Sequence, residues 1–209
     1  MEYEYDIFIS YKRGTDCEDW VRSMLKPLLI KVIKDYSIGD EDPKIFIDEE
    51  GIQVGVDWPQ KIKRALARSK CMLAVWSPSY FRKSDWCVIE FSAMKYRQEA
   101  LGLGPNSKPP SLIWPVMFRK LDPVPEFLSK IQVLDLSDYN SIISEESDKK
   151  QYAQFKKEFE TKIISLAGMI ANAPPCDETW ETDEWLDTPY KKIQEAISQY
   201  KQTLPSWAQ

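Results

Sequence analysis

The sequence predicts a doubly wound α/β fold, in which helices cover both faces of a parallel sheet. Short apolar runs alternate along most of the chain with segments whose apolar residues recur every three or four positions. The run at residues 71–77 is almost wholly apolar, as expected for a parallel strand buried on both faces. Such alternation places helices in right-handed crossovers between parallel strands. The 209 residues suffice for one domain with a full core and an appendage.

The first part of the chain predicts two strands, a long helix and a loop. The strands are residues 7–11 and residues 44–48. Residues 16–36 carry apolar side chains at helical spacing, and Pro27 among them predicts a kink or a broken first turn, because proline has no N–H to donate. Residues 49–57 form a loop whose two glycines suit positive φ angles.

The middle of the chain continues the alternation. Residues 57–68 are predicted as a helix, because Asp is a good cap and Pro follows it in the first turn. After the third strand, Ser84 and Asp85 begin the helix that carries Trp86 and Glu90. Residues 102–110, rich in Gly, Pro, Asn and Ser, form a loop.

The last part of the chain predicts strands at residues 112–118 and 131–136, then a long helix with an apolar stripe over residues 152–170. We place the domain at residues 1–172. Residues 173–209 form an appendage: an acidic linker with two tryptophans, then an amphipathic helix beginning at Thr188-Pro189. This tail is expected to pack back on the domain or to bind a partner or a second protomer.

Composition narrows the function classes. The net charge is −5 and the isoelectric point is near 5.0, which argues against a general nucleic-acid binder. No apolar stretch approaches the roughly 20 residues of a membrane span, and the acidic start lacks the apolar core of a signal peptide, so the expected location is the cytoplasm.

The reactive side chains are few in kind. The chain has no histidine, which excludes Ser-His-Asp and Cys-His catalysis and imidazole metal sites. Its four cysteines show no CxxC spacing and are expected to be reduced structural thiols, so we predict no metal site. An enzyme built on this chain works with carboxylates, Lys, Arg, Tyr or Cys.

Two separated segments predict a binding site. Residues 5–13, YDIFISYKR, are a short strand that runs into a basic loop. Residues 86–90, WCVIE, place an aromatic ring and a carboxylate four positions apart on one face of a helix. If the fold joins them, an isolated carboxylate lies beside a cationic loop and an indole, which suits a ligand such as a dinucleotide.

These segments, in their order and spacing, resemble the Toll/interleukin-1 receptor (TIR) domain family over about residues 3–172, most closely its prokaryotic members. The motifs that carry the resemblance are YDIFISYKR at 5–13, IFID at 45–48 with the loop at 49–58, the strand at 71–77 followed by PSYF at 78–81, and WC…E at 86–90. The resemblance implies a flavodoxin-like fold with a five-stranded parallel sheet. In sheets of order 2-1-3-4-5, ligands bind beyond the carboxyl ends of strands one and three.

The resemblance also implies two kinds of activity. Some TIR domains only recruit other TIR domains, whereas others are NAD⁺ glycohydrolases with a catalytic glutamate at the position of Glu90. The enzymatic kind resembles this chain in having Trp86 four residues before that glutamate. We therefore expect cleavage of NAD⁺ to nicotinamide and ADP-ribose or a cyclic isomer, with NAD⁺ as substrate, no cofactor, and a role in bacterial defence or immune signalling. Such members act when they self-associate through TIR–TIR contacts.

The expected substrate-binding residues surround Glu90. The end of the first strand supplies Ser10 and Tyr11, and Lys12 and Arg13 face the pyrophosphate. Trp86 stacks on a ring of the substrate. Trp58 and Trp114 are weaker candidates that also suit core or interface positions, and Asp48 is either a site residue or a cap of the next loop.

Two alternatives stay open at this point. The chain is also interpretable as a non-enzymatic adaptor that docks another TIR domain through residues 49–58, or as a virulence factor that mimics host TIR domains. A partner effector or sensor protein fits all three readings. Direct contact with nucleic acid or a membrane is not expected.

Overall fold

A computed structural model describes residues 2–36, 41–48, 58–141 and 148–204 of the protein, without the side chains of Trp58, Pro59 and Leu186. Its centre is a five-stranded sheet in the order β2-β1-β3-β4-β5, and every neighbouring pair is parallel. The predicted fold class is therefore confirmed. The winding reverses at β1, which lies between β2 and β3.

The strands differ from their predicted bounds mainly at the sheet edges. The central strands are β1 (Tyr5–Ser10), β3 (Ser69–Trp76) and β4 (Ile113–Met117). The edge strands are only two residues long: β2 (Ile45–Phe46) and β5 (Leu134–Asp135). Edge strands pair on one side only, so the longer apolar runs predicted at 44–48 and 131–136 do not extend the ladder.

Two hydrophobic layers sandwich the sheet. One layer contains α1 (Asp16–Trp20), α2 (Lys26–Tyr36) and α6 (Lys149–Ala171). The other contains α3 (Trp58–Ala67), α4 (Pro78–Arg82), α5 (Asp85–Ala100) and α7 (Asp183–Thr203). Helix α4 is an addition to the predicted elements. None of the described helices combines the length and apolarity of a membrane span.

Pro27 is accommodated in the way its chemistry requires. Between α1 and α2, Val21–Leu25 forms a π-helical turn, and Pro27 is the second residue of α2. A π-turn changes the hydrogen-bond register just before the proline, so its missing N–H breaks no regular ladder. The predicted irregularity is confirmed and takes this form.

The tail packs back on the domain. Its buried side chains join the layer over α5: Trp180, Trp185, Ile197, Tyr200 and Leu204. The predicted start of the last helix at Thr188-Pro189 is wrong, because α7 begins at Asp183 and Pro189 lies inside it. Burial of Trp185 in the first turn of α7 opposes the cost of that proline. The proposed division at residue 172 stays a prediction.

Candidate functional site

A cleft of about 460 Å³ opens where β1 ends, between the loop that follows it and the first half of α5. Its lining includes Tyr11, Lys12 and Arg13 on one side, and Trp86 and Glu90 on the other. The two segments that the sequence singled out therefore meet, at the switch point of the sheet. The volume falls within the range of pockets for small organic ligands.

Helix α5 aims its two site residues at the cleft. The Ser84 hydroxyl oxygen accepts a hydrogen bond from the Cys87 N–H at 3.3 Å and caps the helix. From this fixed start, Trp86 and Glu90 follow four positions apart and share one face. Because α7 covers α5 on its other side, the helix is buried on two faces and its position is well defined.

Glu90 is a buried carboxyl group, and among the described residues Ser10 is its hydrogen-bond partner. Its side chain is 8% exposed, and the Ser10 hydroxyl donates to Glu90 Oε2 at 2.6 Å. Burial raises the pKa of Glu90 to about 8, the Ser10 bond opposes that rise, and the charge of Asp48 adds to it. In the free protein the carboxyl group thus holds a proton at neutral pH. A cation placed beside it favours the carboxylate.

The basic loop after β1 is held by an ion pair. Arg13 Nη1 lies 2.6 Å from Asp48 Oδ2, and Asp48 is the less exposed partner. The Gly14 N–H donates to Glu18 Oε2 at 2.8 Å, and Gly14 has the positive φ of +69° that glycine adopts most easily. Within the described part of the chain, Lys12 has no ion-pair partner, so it is the cation of this loop that is available to a ligand.

The backbone of Asp48 also contacts residues on either side of the loop that follows β1. Its carbonyl oxygen accepts from Arg22 Nη2 at 3.1 Å and from the Tyr11 hydroxyl at 3.5 Å. Burial raises the pKa of Tyr11 to about 12, so this phenol stays neutral. Tyr11 and Asp48 both line the cleft, and Asp48 holds the loop through its side chain and its backbone.

Of the weaker aromatic candidates, the structure places Trp114 away from Glu90. Trp114 lies in the opposite layer, where its indole N–H donates to Ser165 Oγ at 3.0 Å and its ring packs against Phe159. This agrees with the core alternative for Trp114. The side chain of Trp58 and the loop at residues 49–57 lie outside the described residues.

Sequence reasoning missed Tyr80, which completes the hydrogen bonding around Glu90. The Tyr80 hydroxyl lies 2.7 Å from Ser10 Oγ, and the residue is fully buried. A local signal existed: Ser77 and Pro78 are a helix cap and a first-turn proline, which place Tyr80 at the third position of α4. The PSYF motif contributed to the resemblance without receiving a role.

Metal and thiol chemistry find no support in the described residues. They contain no group of three or more Cys, Asp or Glu side chains arranged to hold a metal ion. The four cysteines form no disulfide, as predicted. Burial raises the pKa of Cys87, which lies beside the cleft, well above its ordinary value, so its thiol stays protonated.

Comparison with known proteins identifies the family. A family model described as "TIR domain" matches residues 7–155. Similar solved structures include the TIR domain of the Toll-related receptor TRR-2 from Hydra magnipapillata, with 24% identity over 65% of this chain and 87% of that chain and a TM-score of 0.43. Another is the set of TIR domains of the activated Roq1 resistosome that recognises the effector XopQ, with 17% identity over 93% of this chain and 99% of that chain and a TM-score of 0.39. No curated protein matches the chain.

Proposed function

We propose that this chain, which belongs to the TIR domain family, is an NAD⁺ nucleosidase that cleaves the bond between nicotinamide and ribose. The observation that carries the proposal is the buried Glu90 carboxyl group at the edge of a cleft that also presents Lys12 and Trp86. A buried carboxyl group with a raised pKa in a cleft is a typical feature of catalytic sites.

The chemistry of NAD⁺ suits a site with one carboxylate. Most glycosidases need a second carboxyl group to protonate the leaving oxygen. In NAD⁺ the C–N bond breaks with its electron pair moving to a pyridinium nitrogen, so nicotinamide leaves as a neutral molecule and needs no acid. The remaining demand is stabilisation of the ribosyl cation, which a carboxylate in a partly dry pocket meets. Water then attacks C1′ and loses a proton to give ADP-ribose, or an adenine nitrogen attacks to give a cyclic isomer.

The electrostatics of the cleft favour this substrate over a neutral one. The positive pyridinium beside Glu90 promotes release of the carboxyl proton, so binding itself produces the charged catalytic form. Lys12 donates to the pyrophosphate as a charge-assisted partner. Trp86 stacks on the nicotinamide ring or on the ribosyl cation that forms when nicotinamide leaves. Arg13, engaged by Asp48, mainly holds the loop.

Activity is proposed to require self-association through TIR–TIR contacts, in the cytoplasm, as part of bacterial defence or signalling. Cleavage would then depend on local concentration, with a sensor or effector partner setting it. In the adaptor alternative, the loop at residues 49–58 docks another TIR domain. No contact of the described residues favours it over catalysis.

The decisive experiment measures nicotinamide release from NAD⁺ at high protein concentration, with products resolved by mass. Wild type is compared with Glu90→Gln, and Glu99→Gln, an exposed glutamate of the same helix, is the matched control. Release by wild type and Glu99→Gln but not by Glu90→Gln supports the proposal. Release that survives Glu90→Gln, or no release by wild type even when tethered into oligomers, overturns it.

A further inference from the structure

A chain of three hydroxyl and carboxyl groups runs into the site from the core. The Tyr80 hydroxyl lies 2.7 Å from Ser10 Oγ, and Ser10 Oγ lies 2.6 Å from Glu90 Oε2. Relative exposures fall from 8% at Glu90 to 1% at Ser10 and 0% at Tyr80. The outer end of the chain therefore faces the cleft, and the inner end is closed to water.

The number of hydrogens fixes the direction of these bonds when Glu90 is charged. A carboxylate only accepts, and a serine hydroxyl has a single hydrogen. Since Ser10 gives that hydrogen to Glu90, the Tyr80 O–H is the donor of the bond to Ser10. Every hydroxyl hydrogen then has an acceptor, and the two bonds polarise each other.

We propose that Tyr80 is a positioning residue for Glu90: its hydroxyl donates to Ser10 and thereby turns the only Ser10 hydrogen toward the carboxylate. Tyr80 does not touch the substrate. It acts by favouring the charged form of Glu90, against the cost of burial. This inference rests on the proposed function for its catalytic meaning, although the state of Glu90 is measurable without turnover.

The opposite direction of the chain is less favourable. If a protonated Glu90 donates to Ser10 and Ser10 donates to Tyr80, the Tyr80 hydroxyl hydrogen has no other acceptor among the described residues. A buried donor without an acceptor costs free energy. Tyr80 thus favours donation from Tyr80 to Ser10 and from Ser10 to Glu90, which suits a charged Glu90. Phenylalanine at this position has no hydroxyl group and would favour neither direction of donation.

Local structure gives Tyr80 little freedom to turn away. Its backbone N–H donates to the Ser77 hydroxyl oxygen at 3.3 Å, and its ring packs 4.8 Å from that of Phe81. Few titratable groups of the described residues influence these hydrogen-bonded side chains. Glu90, Cys87 and Cys17 affect the pKa of Tyr80, and Asp48 affects the pKa of Glu90. Burial raises the pKa of both thiols, so the charges that act on these groups come from Asp48 and, once it is ionised, from Glu90.

The test compares wild type with Tyr80→Phe, which removes one oxygen and keeps the ring. Carbon-13 NMR of the Glu90 side-chain carboxyl carbon, titrated without substrate, is expected to show its pKa moved upward by about half a pH unit. The pH profile of nicotinamide release should move in the same direction. Tyr139→Phe, which loses a 2.9 Å bond to Glu158 in the other layer, is the control and should leave both unchanged.

A double-mutant cycle tests the same coupling in a second way. Ser10→Ala breaks the chain in the middle, so adding Tyr80→Phe to it should move the Glu90 pKa no further. An additive effect, or an unchanged pKa in Tyr80→Phe alone, overturns the positioning role. Absence of turnover in wild type refutes the nucleosidase and leaves the NMR titration to decide the role of Tyr80.

Discussion

The Arg97 guanidinium lies over the Trp180 ring, with its central carbon 3.6 Å from the ring centroid. The guanidinium comes from α5 and the ring from the tail. Arg97 is fully buried, donates to the Ser69 carbonyl oxygen at 2.9 Å and also bonds to the Tyr3 hydroxyl. The Tyr3 hydroxyl in turn donates to the Pro174 carbonyl oxygen at 2.6 Å. The start of the chain, the helix of Glu90 and the tail therefore meet at one buried cation.

Replacing Trp180 with alanine is expected to destabilise the whole domain. The substitution removes a buried indole and leaves Arg97 without the ring that covers it, and we expect a loss of about 3–4 kcal/mol in unfolding free energy. Chemical denaturation followed by far-UV circular dichroism measures it. As a control, Glu181→Gln breaks the partly exposed ion pair of Glu181 with Arg68 in the same tail segment and should cost much less. Equal losses would show that charge, rather than the ring, holds the tail.

The buried carboxyl group makes stability depend on pH. The folded Glu90 keeps its proton up to a pKa of about 8, whereas the unfolded residue loses it near 4.5, so the folded protein binds more protons between these values. The contribution of the protonated Glu90 to folding stability is fully present below pH 4.5 and is lost as the pH rises to about 8. Glu90→Gln does not titrate, and at pH 8.5 it should be more stable than wild type by roughly 4–5 kcal/mol.

Thermal melts of the two proteins at pH 5 and pH 8.5 test this expectation. The Gln variant should gain far more over wild type at the higher pH, because at pH 5 both folded side chains are neutral and the loss has only begun. The same gain in Glu99→Gln, an exposed residue, would point to net charge rather than burial as the cause.

Lys12 and Arg13 are expected to differ although they are neighbours. Lys12→Ala removes the ligand-facing cation and should raise KM for NAD⁺ about tenfold with little change in kcat, because the pyrophosphate does not react. Arg13→Ala releases Asp48 and the loop, so it should lower both kcat and thermal stability. Steady-state kinetics and melting curves separate the two. Identical kinetic effects would contradict the assignment of separate roles.

The alternation of strands and helices was sufficient to predict a parallel sheet. The strand order that brings Ser10 to Glu90 was implied by the resemblance to the TIR family. The sequence did not determine the layer of Trp114, because on a strand buried on both faces the apolar pattern is the same toward either layer. The start of α7 escaped prediction because packing of Trp185 outweighed a local proline rule. Tyr80 escaped because its importance lies in a contact seventy positions away in the chain.

The rate of NAD⁺ cleavage should rise with pH, and Asp48 should shift the pH at which it rises. If the carboxylate is the active form, kcat/KM follows the ionisation of the free protein and increases with an apparent pKa near 8. Asp48→Asn removes a negative charge that raises this pKa, so the profile should move to lower pH. The shift is opposite in sign to that expected for Tyr80→Phe, and the pair of variants therefore separates charge repulsion from hydrogen bonding. Measurement of kcat/KM from pH 6 to 9.5 in the three proteins tests both. A profile that falls with pH would mean that the protonated acid is the working form of Glu90.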